Sequence, residues 1–461
     1  MATFEDAIDD FLSELDAGIL STADREAARV LLTDQLGVQV GLADLPWSEQ
    51  ATAAALDGAP DGKATIVANG LRVDPETAAF CNASYAHGFE YDDAHSASDG
   101  HPGSVTVSVA LALAEAEDRT LAEAVVAIVA GYEVYTRIGT ALSPALLARG
   151  WHPHAVLAPF GAAATAATIE GLSSERTRHA LAIAASHASG ITEYSSTGGS
   201  VKRVHAGIGA QNGIRAVRLA SRGVTGPDRY LTGNKGAFRA FAGVEPPGPD
   251  PETFGRERLE IHDTWLKLHS CCGCTHAYLD CLDEIDPASD PDRIDRVEAR
   301  VQPSTDSIVG TQNENLYEPT SIEEAQFNLP FELALAILGW GNGVESHRAL
   351  VAGDRRYDDP ALRATMDRIE LRIDRELERY DPAFVGDLTV EYVDGTTEEA
   401  FVEHARGTPG NPASAAERRR KFDELTEPIL GSDQASELWS VATDAPLETP
   451  VRELRSLIAP P

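Results

Sequence analysis

A proline-rich stretch near the middle of the chain separates two different hydrophobic patterns. Residues 243–251 include four prolines within six positions, and such a run sustains neither a helix nor a central strand. Before this stretch the sequence is rich in alanine and follows a helical period, whereas beyond it short segments alternate polar and apolar residues. We therefore predict a mainly α protein, with a large all-helical domain over residues 1–260 and a smaller α+β domain over residues 261–412.

Three segments of the first half carry helix start or stop signals. Residues 120–123, Thr-Leu-Ala-Glu, have the spacing of a capping box and begin a helix. Residues 174–189 and 204–222 follow a helical period, and each is followed by a glycine (Gly190, Gly223) that favours a helix end. An all-helical first domain is the simplest interpretation of this half.

The second half predicts strands. Residues 296–301 and 369–374 alternate polar and apolar side chains, the pattern of a half-buried strand. A third alternating run, 388–393, and a fourth that ends at Val402 flank Asp394-Gly395, a dipeptide typical of a tight hairpin turn. Helices are expected in the same region at residues 322–338 and 360–366.

The C-terminal segment returns to helical character. It follows a turn-forming sequence, Thr-Pro-Gly-Asn-Pro at 408–412, and covers residues 413–461. A chain of 461 residues is long enough for two domains, so we expect this segment to pack back on the helical domain rather than to form a third core.

The charge balance is strongly acidic. With 73 acidic and 38 basic residues the formal net charge is −35, and only five of the basic residues are lysine. Acidic surfaces with little lysine suit high salt, because dense salt screens the repulsion between carboxylates. This composition predicts halophilic adaptation. It argues against nucleic acid and anionic membranes as partners, since both require a basic face.

Nothing in the sequence predicts a membrane or secretory protein. Residues 1–7 lack the basic start and apolar core of a signal peptide. The most apolar stretch, 155–169, is interrupted by Pro159 and is shorter than the roughly 20 residues of a membrane span. Five cysteines in a long chain do not favour a disulfide framework. We expect a cytoplasmic protein.

Two of the five lysines lie beside histidines. Lys202 precedes Arg203 and His205, and Lys267 begins the segment Lys-Leu-His-Ser-Cys-Cys. An adjacent lysine and arginine can bind separate carboxylates. We interpret these lysines as a cationic site for a substrate with several carboxylates, with ordinary surface charge as the alternative. Lys63 and Lys421 are expected to be dispensable for catalysis.

The densest polar segment covers residues 87–101. It holds three histidines and four acidic residues in fifteen positions, just before a helix expected to start near Ser104. Histidine titrates near neutrality, and neighbouring carboxylates fix its tautomer, so this segment fits acid–base or substrate-binding duty. A metal site and a polar loop without chemistry remain alternatives. Residues 150–154, Gly-Trp-His-Pro-His, repeat the pattern of histidine next to a helix start.

Four of the five cysteines lie between residues 271 and 281, with His269 and His276 beside them. Alone, this cluster would suggest zinc or an iron–sulfur centre. The spacing does not match paired Cys-x₂-Cys motifs, and one helix face could not present so many ligands tetrahedrally. Buried cysteines that pack in the core are the alternative.

Together these segments resemble the MmgE/PrpD family, which includes 2-methylcitrate dehydratases, cis-aconitate decarboxylases and iminodisuccinate epimerases. The similarity spans roughly residues 5–440, and each motif is weak alone, but seven occur in the expected order. The matching segments are NASYAHGFEYDD (82–93) with HPG (101–103), GYEVY (131–135), GWH (150–152), KRVHAG (202–207), GVTGP (223–227), KLHSCCGCTH (267–276) and AQFNLP (325–330).

The resemblance implies a helical domain, a smaller α+β lid domain, a cleft between them, a homodimer, and chemistry without metal or organic cofactor. By motif position, the family's active-site residues fall on His101, His152, Lys202 and Lys267. Glu90 and Ala94 depart from the tricarboxylate decarboxylase branch, which has aspartate and threonine there. The spacing from Asp93 to His101 is also one residue longer.

We therefore expect a lyase that dehydrates a 2-hydroxy tricarboxylate such as 2-methylcitrate. Lys202, Arg203 and Lys267 are assigned to the substrate carboxylates, and His101 and His152 to proton transfer. Epimerisation or decarboxylation of a related di- or tricarboxylate is the alternative. A non-enzymatic protein that binds metal through the Cys271–Cys281 segment is an alternative of a different class. Further candidates are Glu90 or Asp93 to orient His101, and His205 and His276 to bind substrate.

Overall fold

The computed structural model describes residues 3–143, 145–194, 198–247, 254–255, 257–287 and 291–460. This part of the chain is mainly helical with small sheets, as the sequence predicts. The helices of the first half are α1 (Phe4–Glu14), α2 (Thr22–Gly41), α3 (Pro46–Leu56), α4 (Pro75–His87), α5 (Pro102–Ala116), α6 (Leu121–Leu142), α7 (Ala145–Ala148), α8 (Pro153–Glu170), α9 (Ser174–His187) and α10 (His205–Ser221).

The second half alternates helices with strands. Its helices are α11 (Gly273–Ile285), α12 (Pro303–Val309), α13 (Ile322–Gln326), α14 (Leu329–Ile337), α15 (Val344–Ala352), α16 (Pro360–Met366), α17 (Ala415–Leu430) and α18 (Ser432–Asp444). The strands of the whole chain are β1 (Asp61–Thr65), β2 (Arg72–Val73), β3 (Asp93–Ala94), β4 (Trp265–Leu266), β5 (Ile294–Val301), β6 (Ile369–Ile373), β7 (Gly386–Tyr392) and β8 (Thr397–Val402).

Local capping determines where several helices begin. The predicted capping box at Thr120 is confirmed, because its hydroxyl accepts from the Glu123 N–H while the Glu123 carboxylate accepts from the Thr120 N–H. Helices α1, α2 and α17 begin with the same device. The predicted helices at 174–189 and 204–222 are present as α9 and α10; α9 ends three residues before Gly190.

Helix α8 lies at the centre of the helical region and contacts α5, α6, α9 and α10. Its closest neighbour is α10, and the approach depends on glycine. A Cβ atom at Gly213 would lie 2.2 Å from the Ala162 Cβ, and one at Gly209 would lie 2.2 Å from that of Ala158. The glycines after Lys202 therefore allow close helix packing.

Two short antiparallel strand pairs lie within or beside the helical region. The prediction of an all-helical first domain did not include them. Strands β1 and β2 form one, and β3 pairs with β4 in the other. Such strands are too short to show a recognisable alternation. The second ladder pairs Asp93 with Leu266 and thereby brings the polar segment next to Lys267.

The second region contains a four-stranded sheet in the order β6-β5-β7-β8. The predicted strands and the hairpin between β7 and β8 are confirmed. The helical character predicted over 322–338 is present, but it is divided between two helices, α13 and α14. The Asn328 side chain accepts from the Phe331 N–H and begins a new helix, with Pro330 in its first turn.

The C-terminal helix α17 packs against α2 in the first region. The Phe422 ring lies close to Gly37, since a Cβ atom at position 37 would be only 2.9 Å from the ring. Lys421 is buried on the same helix, and its Nζ lies 2.7 Å from the Asp34 carboxylate and donates to the Tyr91 carbonyl. Lys421 therefore contributes to the stability of the fold, and the expectation that it is dispensable for catalysis stays a prediction.

The proline-rich stretch adopts neither helix nor strand over residues 243–247, and residues 248–251 lie outside the described part of the chain. Among the described helices, α6 is long and apolar enough to cross a membrane by length and composition. Most of it is buried inside the protein, and the core helix of a soluble protein meets the same criteria. The lid character of the second region remains an expectation.

Candidate active site

The polar segment 87–101 runs between the two hydrophobic cores. Phe89 and Tyr91 are buried in the second core, although the helices on either side of the segment, α4 and α5, contribute to the first. The Phe89 carbonyl accepts from Ser270 Oγ (2.7 Å) and from Gln326 Nε2 (3.0 Å). The backbone that carries Glu90, Asp92 and Asp93 is thus held from the second region.

Glu90 links the two lysines singled out by the sequence. Its carboxylate forms an ion pair with Lys202, and its Oε2 lies 3.1 Å from the Nζ of Lys267. All three side chains are almost fully buried. Glu90 also has a positive φ of 55°, an uncommon conformation for a residue other than glycine. Such strain persists only where surrounding contacts impose it, and here two cations do so.

The environment of Lys202 is crowded with cations. Burial, followed by the charges of Arg203 and Lys267, lowers the pKa of Lys202 well below its ordinary value. Its Nζ also lies over the Phe327 ring, 4.8 Å from the centroid. Glu90 supplies an opposite charge in direct contact with the Lys202 Nζ.

Arg203 is held by protein groups. It donates to the Gly88 carbonyl (2.9 Å) and to Gln326 Oε1 (3.1 Å), and its guanidinium lies over the Trp47 ring. A Glu323 carboxylate oxygen is 3.5 Å away. The guanidinium therefore ties the start of the polar segment to the second region, and its assignment to a substrate carboxylate remains a prediction.

His101 lies just before α5 and is the most accessible histidine of the group, with a side chain 17% exposed. Its Nδ1 lies 2.7 Å from the Asp93 carbonyl oxygen and 3.5 Å from Asp92 Oδ1. Burial and then the nearby Lys267 charge lower the pKa of His101 to about 3. This imidazole is therefore neutral at physiological pH.

The Asp93 carboxylate faces away from His101. It accepts from Tyr132 Oη (2.8 Å), from the Gly103 N–H (3.0 Å) and from Gln35 Nε2 (3.2 Å). Burial raises the pKa of Asp93 to about 7. Asp93 contacts His101 through its backbone carbonyl alone, so the carboxylate beside His101 belongs to Asp92, which the sequence analysis did not assign.

His152 and His205 form a pair. Their Nδ1 atoms lie 2.9 Å apart, so one of the two nitrogens carries a proton and the other accepts it. Burial and His205 lower the pKa of His152 well below its ordinary value, and burial and Lys202 lower that of His205 to about 4. The Tyr194 ring packs edge-on against His152.

Sequence reasoning also missed His87 and His154 as members of this cluster. Their rings lie 4.2 Å apart, and the ring centroid of His87 is 5.2 Å from that of His101 and 5.8 Å from that of His152. His154 Nδ1 lies 2.7 Å from Tyr135 Oη. The signal was present, because His87 opens the polar segment and His154 stands two positions after His152, but only the fold brings α4 and α8 together.

His276 lies apart from these imidazoles and packs against Trp265 and His269. The nearby cysteines are free and buried. A hydrogen bond with Cys274, together with the Lys267 charge, lowers the pKa of Cys272 to about 7. Within the described residues, the one set of three side chains placed to share a metal ion is His87, Asp92 and His101, not the cysteine segment.

The structure also has a cavity of about 280 Å³, whose lining includes neither the two lysines nor the five imidazoles described above. Its walls are mainly apolar and come from both regions, including Trp265, Pro382, Phe384 and Pro409, with His95 and Ser96 at one side. The two lysines and the five imidazoles bring cationic and proton-accepting groups together in one buried place, so they are the candidate active site rather than this cavity.

The chain matches two domains of one protein family. Residues 6–250 match the MmgE/PrpD N-terminal domain, and residues 269–445 match the MmgE/PrpD C-terminal domain. A cis-aconitate decarboxylase-like protein, oryM, of Aspergillus oryzae is 28% identical over 94% of this chain and 92% of its own length. The cis-aconitate decarboxylase of Aspergillus terreus is 31% identical over 56% of this chain and 55% of its own. The human cis-aconitate decarboxylase is 27% identical over 80% and 76%.

Proposed function

We propose that this chain, which belongs to the MmgE/PrpD family, is a lyase that removes a carbon-bound proton from a small polycarboxylate without metal or organic cofactor. The observation that carries the proposal is the meeting of two buried lysines at one carboxylate, Glu90, beside a cluster of neutral imidazoles. Cations bind carboxylates, and neutral imidazoles accept protons.

The lysines are the proposed substrate anchors. A substrate carboxylate that approaches Lys202 and Lys267 shares them with Glu90, so both lysines remain paired throughout the reaction. Negative charge that develops on a carboxylate as the proton leaves is stabilised by cations already in place in a buried site. Arg203 contributes by holding Gly88 and Gln326, and so the backbone of the polar segment.

His101 is the proposed base. Its Nδ1 must donate, because the Asp93 carbonyl 2.7 Å away can only accept. The lone pair therefore lies on Nε2, the atom that takes the proton from carbon. His152 and His205 are hydrogen-bonded through their Nδ1 atoms, so the ring that accepts carries its own proton at Nε2 and can give it to a departing hydroxyl, which leaves as water. The proton that His101 took from carbon replaces it, and the enzyme returns to its starting charge.

This division between a base and a proton-carrying pair favours dehydration, and we propose a 2-hydroxy tricarboxylate such as 2-methylcitrate as the substrate. Decarboxylation is the second candidate, because the relatives that cover most of the chain are named cis-aconitate decarboxylases or like them. In that reaction the same cations would stabilise the carbanion left by carbon dioxide.

A screen of di- and tricarboxylates by proton NMR in deuterated water, at several molar KCl, tests the proposal. New alkene signals without carbon dioxide indicate dehydration, and alkene or methylene signals with carbon dioxide indicate decarboxylation. Exchange of a carbon-bound proton without either product indicates an epimerase. The absence of all three for the whole panel contradicts the proposed function.

Chelation separates this proposal from the metal-binding alternative. Activity is expected to survive dialysis against a strong chelator, and Cys272→Ala and Cys274→Ala are expected to retain chemistry with a packing cost of about 1–2 kcal/mol. Activity lost on chelation and restored by zinc or iron would instead place a metal ion in the mechanism.

A further inference from the structure

His101 lies in a closed ring of contacts that reaches beyond its two nearest neighbours. Its backbone N–H donates to Tyr135 Oη (3.2 Å), and Tyr135 Oη lies 2.7 Å from His154 Nδ1. The His154 ring packs against that of His87, whose Nδ1 lies 2.8 Å from Asp92 Oδ2. The other oxygen of Asp92 faces His101 Nδ1 at 3.5 Å and closes the ring.

Asp92 is the one acidic member of this ring, and its side chain is fully buried. In the described part of the chain its Oδ1 makes no hydrogen bond, and His101 Nδ1 lies 3.5 Å from it. A buried carboxyl oxygen without a partner is costly, so its position needs an explanation. The imidazole beside it offers one.

The Asp93 carbonyl already fixes the tautomer of His101 while the ring is neutral. The same carbonyl also favours the imidazolium, which forms when Nε2 takes a proton, but it carries no net charge to balance that of the ring. Asp92 then becomes the acidic group that stabilises the positive charge at Nδ1. An interaction that strengthens only as the proton moves accelerates the chemical step, since it does little for the resting enzyme.

We infer that Asp92, held in place by His87, is a positioning residue that orients His101 and stabilises its protonated form. The inference rests on the proposed function in taking His101 as the base. His87 determines which way the carboxyl points, because it holds Oδ2 and leaves Oδ1 for His101. Neither residue is expected to touch the substrate.

Several other charged and titratable groups face His101 and influence any measurement of its protonation. Lys267, at the end of β4, lowers the pKa of His101. His152 and His154 come from the start of α8, and Tyr135 comes from α6. Burial raises the pKa of Asp92 to about 8, so the effect of its charge is greatest above that pH.

The test uses Asp92→Asn in the full-length protein. Deuterium exchange at the imidazole C2 carbon, followed by mass spectrometry of the peptide that contains His101, reports how readily that ring takes a proton and needs no substrate. At pH 9 we expect the variant to exchange at least tenfold more slowly at His101 than the native protein, corresponding to about one pKa unit. Assayed at the same pH 9, where Asp92 is ionised, the variant is expected to lose at least 100-fold in kcat, with KM changed less than threefold.

Two companion variants keep the result interpretable. His87→Gln retains a donor for Oδ2 and is expected to slow exchange at His101 less than Asp92→Asn does. Glu332→Gln removes another fully buried carboxylate with a histidine partner, His347 at 2.8 Å, and is expected to lower stability without changing exchange at His101.

Either of two results overturns the inference. The first is a rate of exchange at His101 in Asp92→Asn that stays within twofold of the native rate, and the second is an equal slowing in Glu332→Gln. A panel of carboxylates with no turnover contradicts the proposed function alone, because the exchange measurement still decides the role of Asp92.

Discussion

The Nζ of Lys267 lies 3.1 Å from the Glu90 carboxylate, although 177 residues separate the two in sequence. The pairing of β3 with β4 produces this contact, since it sets Asp93 opposite Leu266 and so places the residues on either side next to each other. Lys202 reaches the same carboxylate from the turn before α10. Three distant parts of the chain thus meet at one buried charge.

The first prediction concerns these lysines. Lys202→Ala and Lys267→Ala are each expected to reduce kcat/KM by a factor of at least ~100, because each removes a preorganised cation from a buried site. Lys63→Ala, at an exposed position of β1, is the control and should leave kcat/KM unchanged. Equal and small effects at all three positions would contradict the cationic site.

Lys421 is expected to matter for stability. Lys421→Ala leaves the buried Asp34 carboxylate without its ion pair, so the free energy of unfolding should fall by about 3–5 kcal/mol. Chemical denaturation at fixed high salt measures this loss. A double variant with Asp34→Asn should recover part of it, whereas Lys63→Ala should cost less than about 0.5 kcal/mol. A loss as small as that of Lys63→Ala would show that the pair is dispensable.

His101→Asn tests the assignment of the base. Asparagine keeps a side-chain hydrogen bond but cannot carry the proton, so turnover should fall below detection while substrate binding changes less than about tenfold. Steady-state kinetics and calorimetric titration with substrate or product measure the two effects. If turnover persists within about tenfold of native, the base lies elsewhere, and His152 becomes the next candidate.

Stability is expected to pass through a maximum near pH 6.5. The pKa of His101 is lowered to about 3 and that of His205 to about 4, so the native state binds fewer protons than the unfolded chain below 6.5, and stability falls as pH decreases. Asp92 and Asp93, raised to about 8 and 7, have the opposite sign: their contribution is lost as pH rises through these values.

Denaturant melts from pH 4 to 9 at constant salt measure this profile. Five further histidines have lowered pKa values and steepen the acid side: His87, His152, His154, His269 and His276. Asp92→Asn should flatten the decline between pH 6.5 and 8. A free energy of unfolding that is constant between pH 7 and 5 would contradict the neutral histidine cluster.

Salt dependence follows from the net charge of −35. Repulsion between surface carboxylates should destabilise the fold in dilute buffer, and its range falls from about 10 Å at 0.1 M salt to about 3 Å at 1 M. Thermal melts from ~0.1 M to several molar KCl should show a rising Tm. A neutral osmolyte at matched osmolality is the control, and a Tm that stays flat or falls with KCl argues against halophilic adaptation.

Local sequence determined most of the secondary structure. The capping box at Thr120, the hairpin around Asp394-Gly395 and the change of pattern after the proline-rich stretch all depend on residues a few positions apart. Such signals act through backbone hydrogen bonds and side-chain period, which neighbours in sequence control. The same locality explains why the helical region at 322–338 is divided in two, because Asn328 begins a new helix there.

For the candidate site, the sequence and the tertiary structure supplied different information. Sequence motifs marked His101, His152, Lys202 and Lys267 as candidates, but only the tertiary structure decided their partners. It placed the carboxylate of Asp92, not that of Asp93, beside His101, paired His152 with His205, and put Glu90 between the lysines. These contacts join segments that lie on different helices and strands. No period or motif records such contacts, because the distance between two side chains there depends on how whole elements pack.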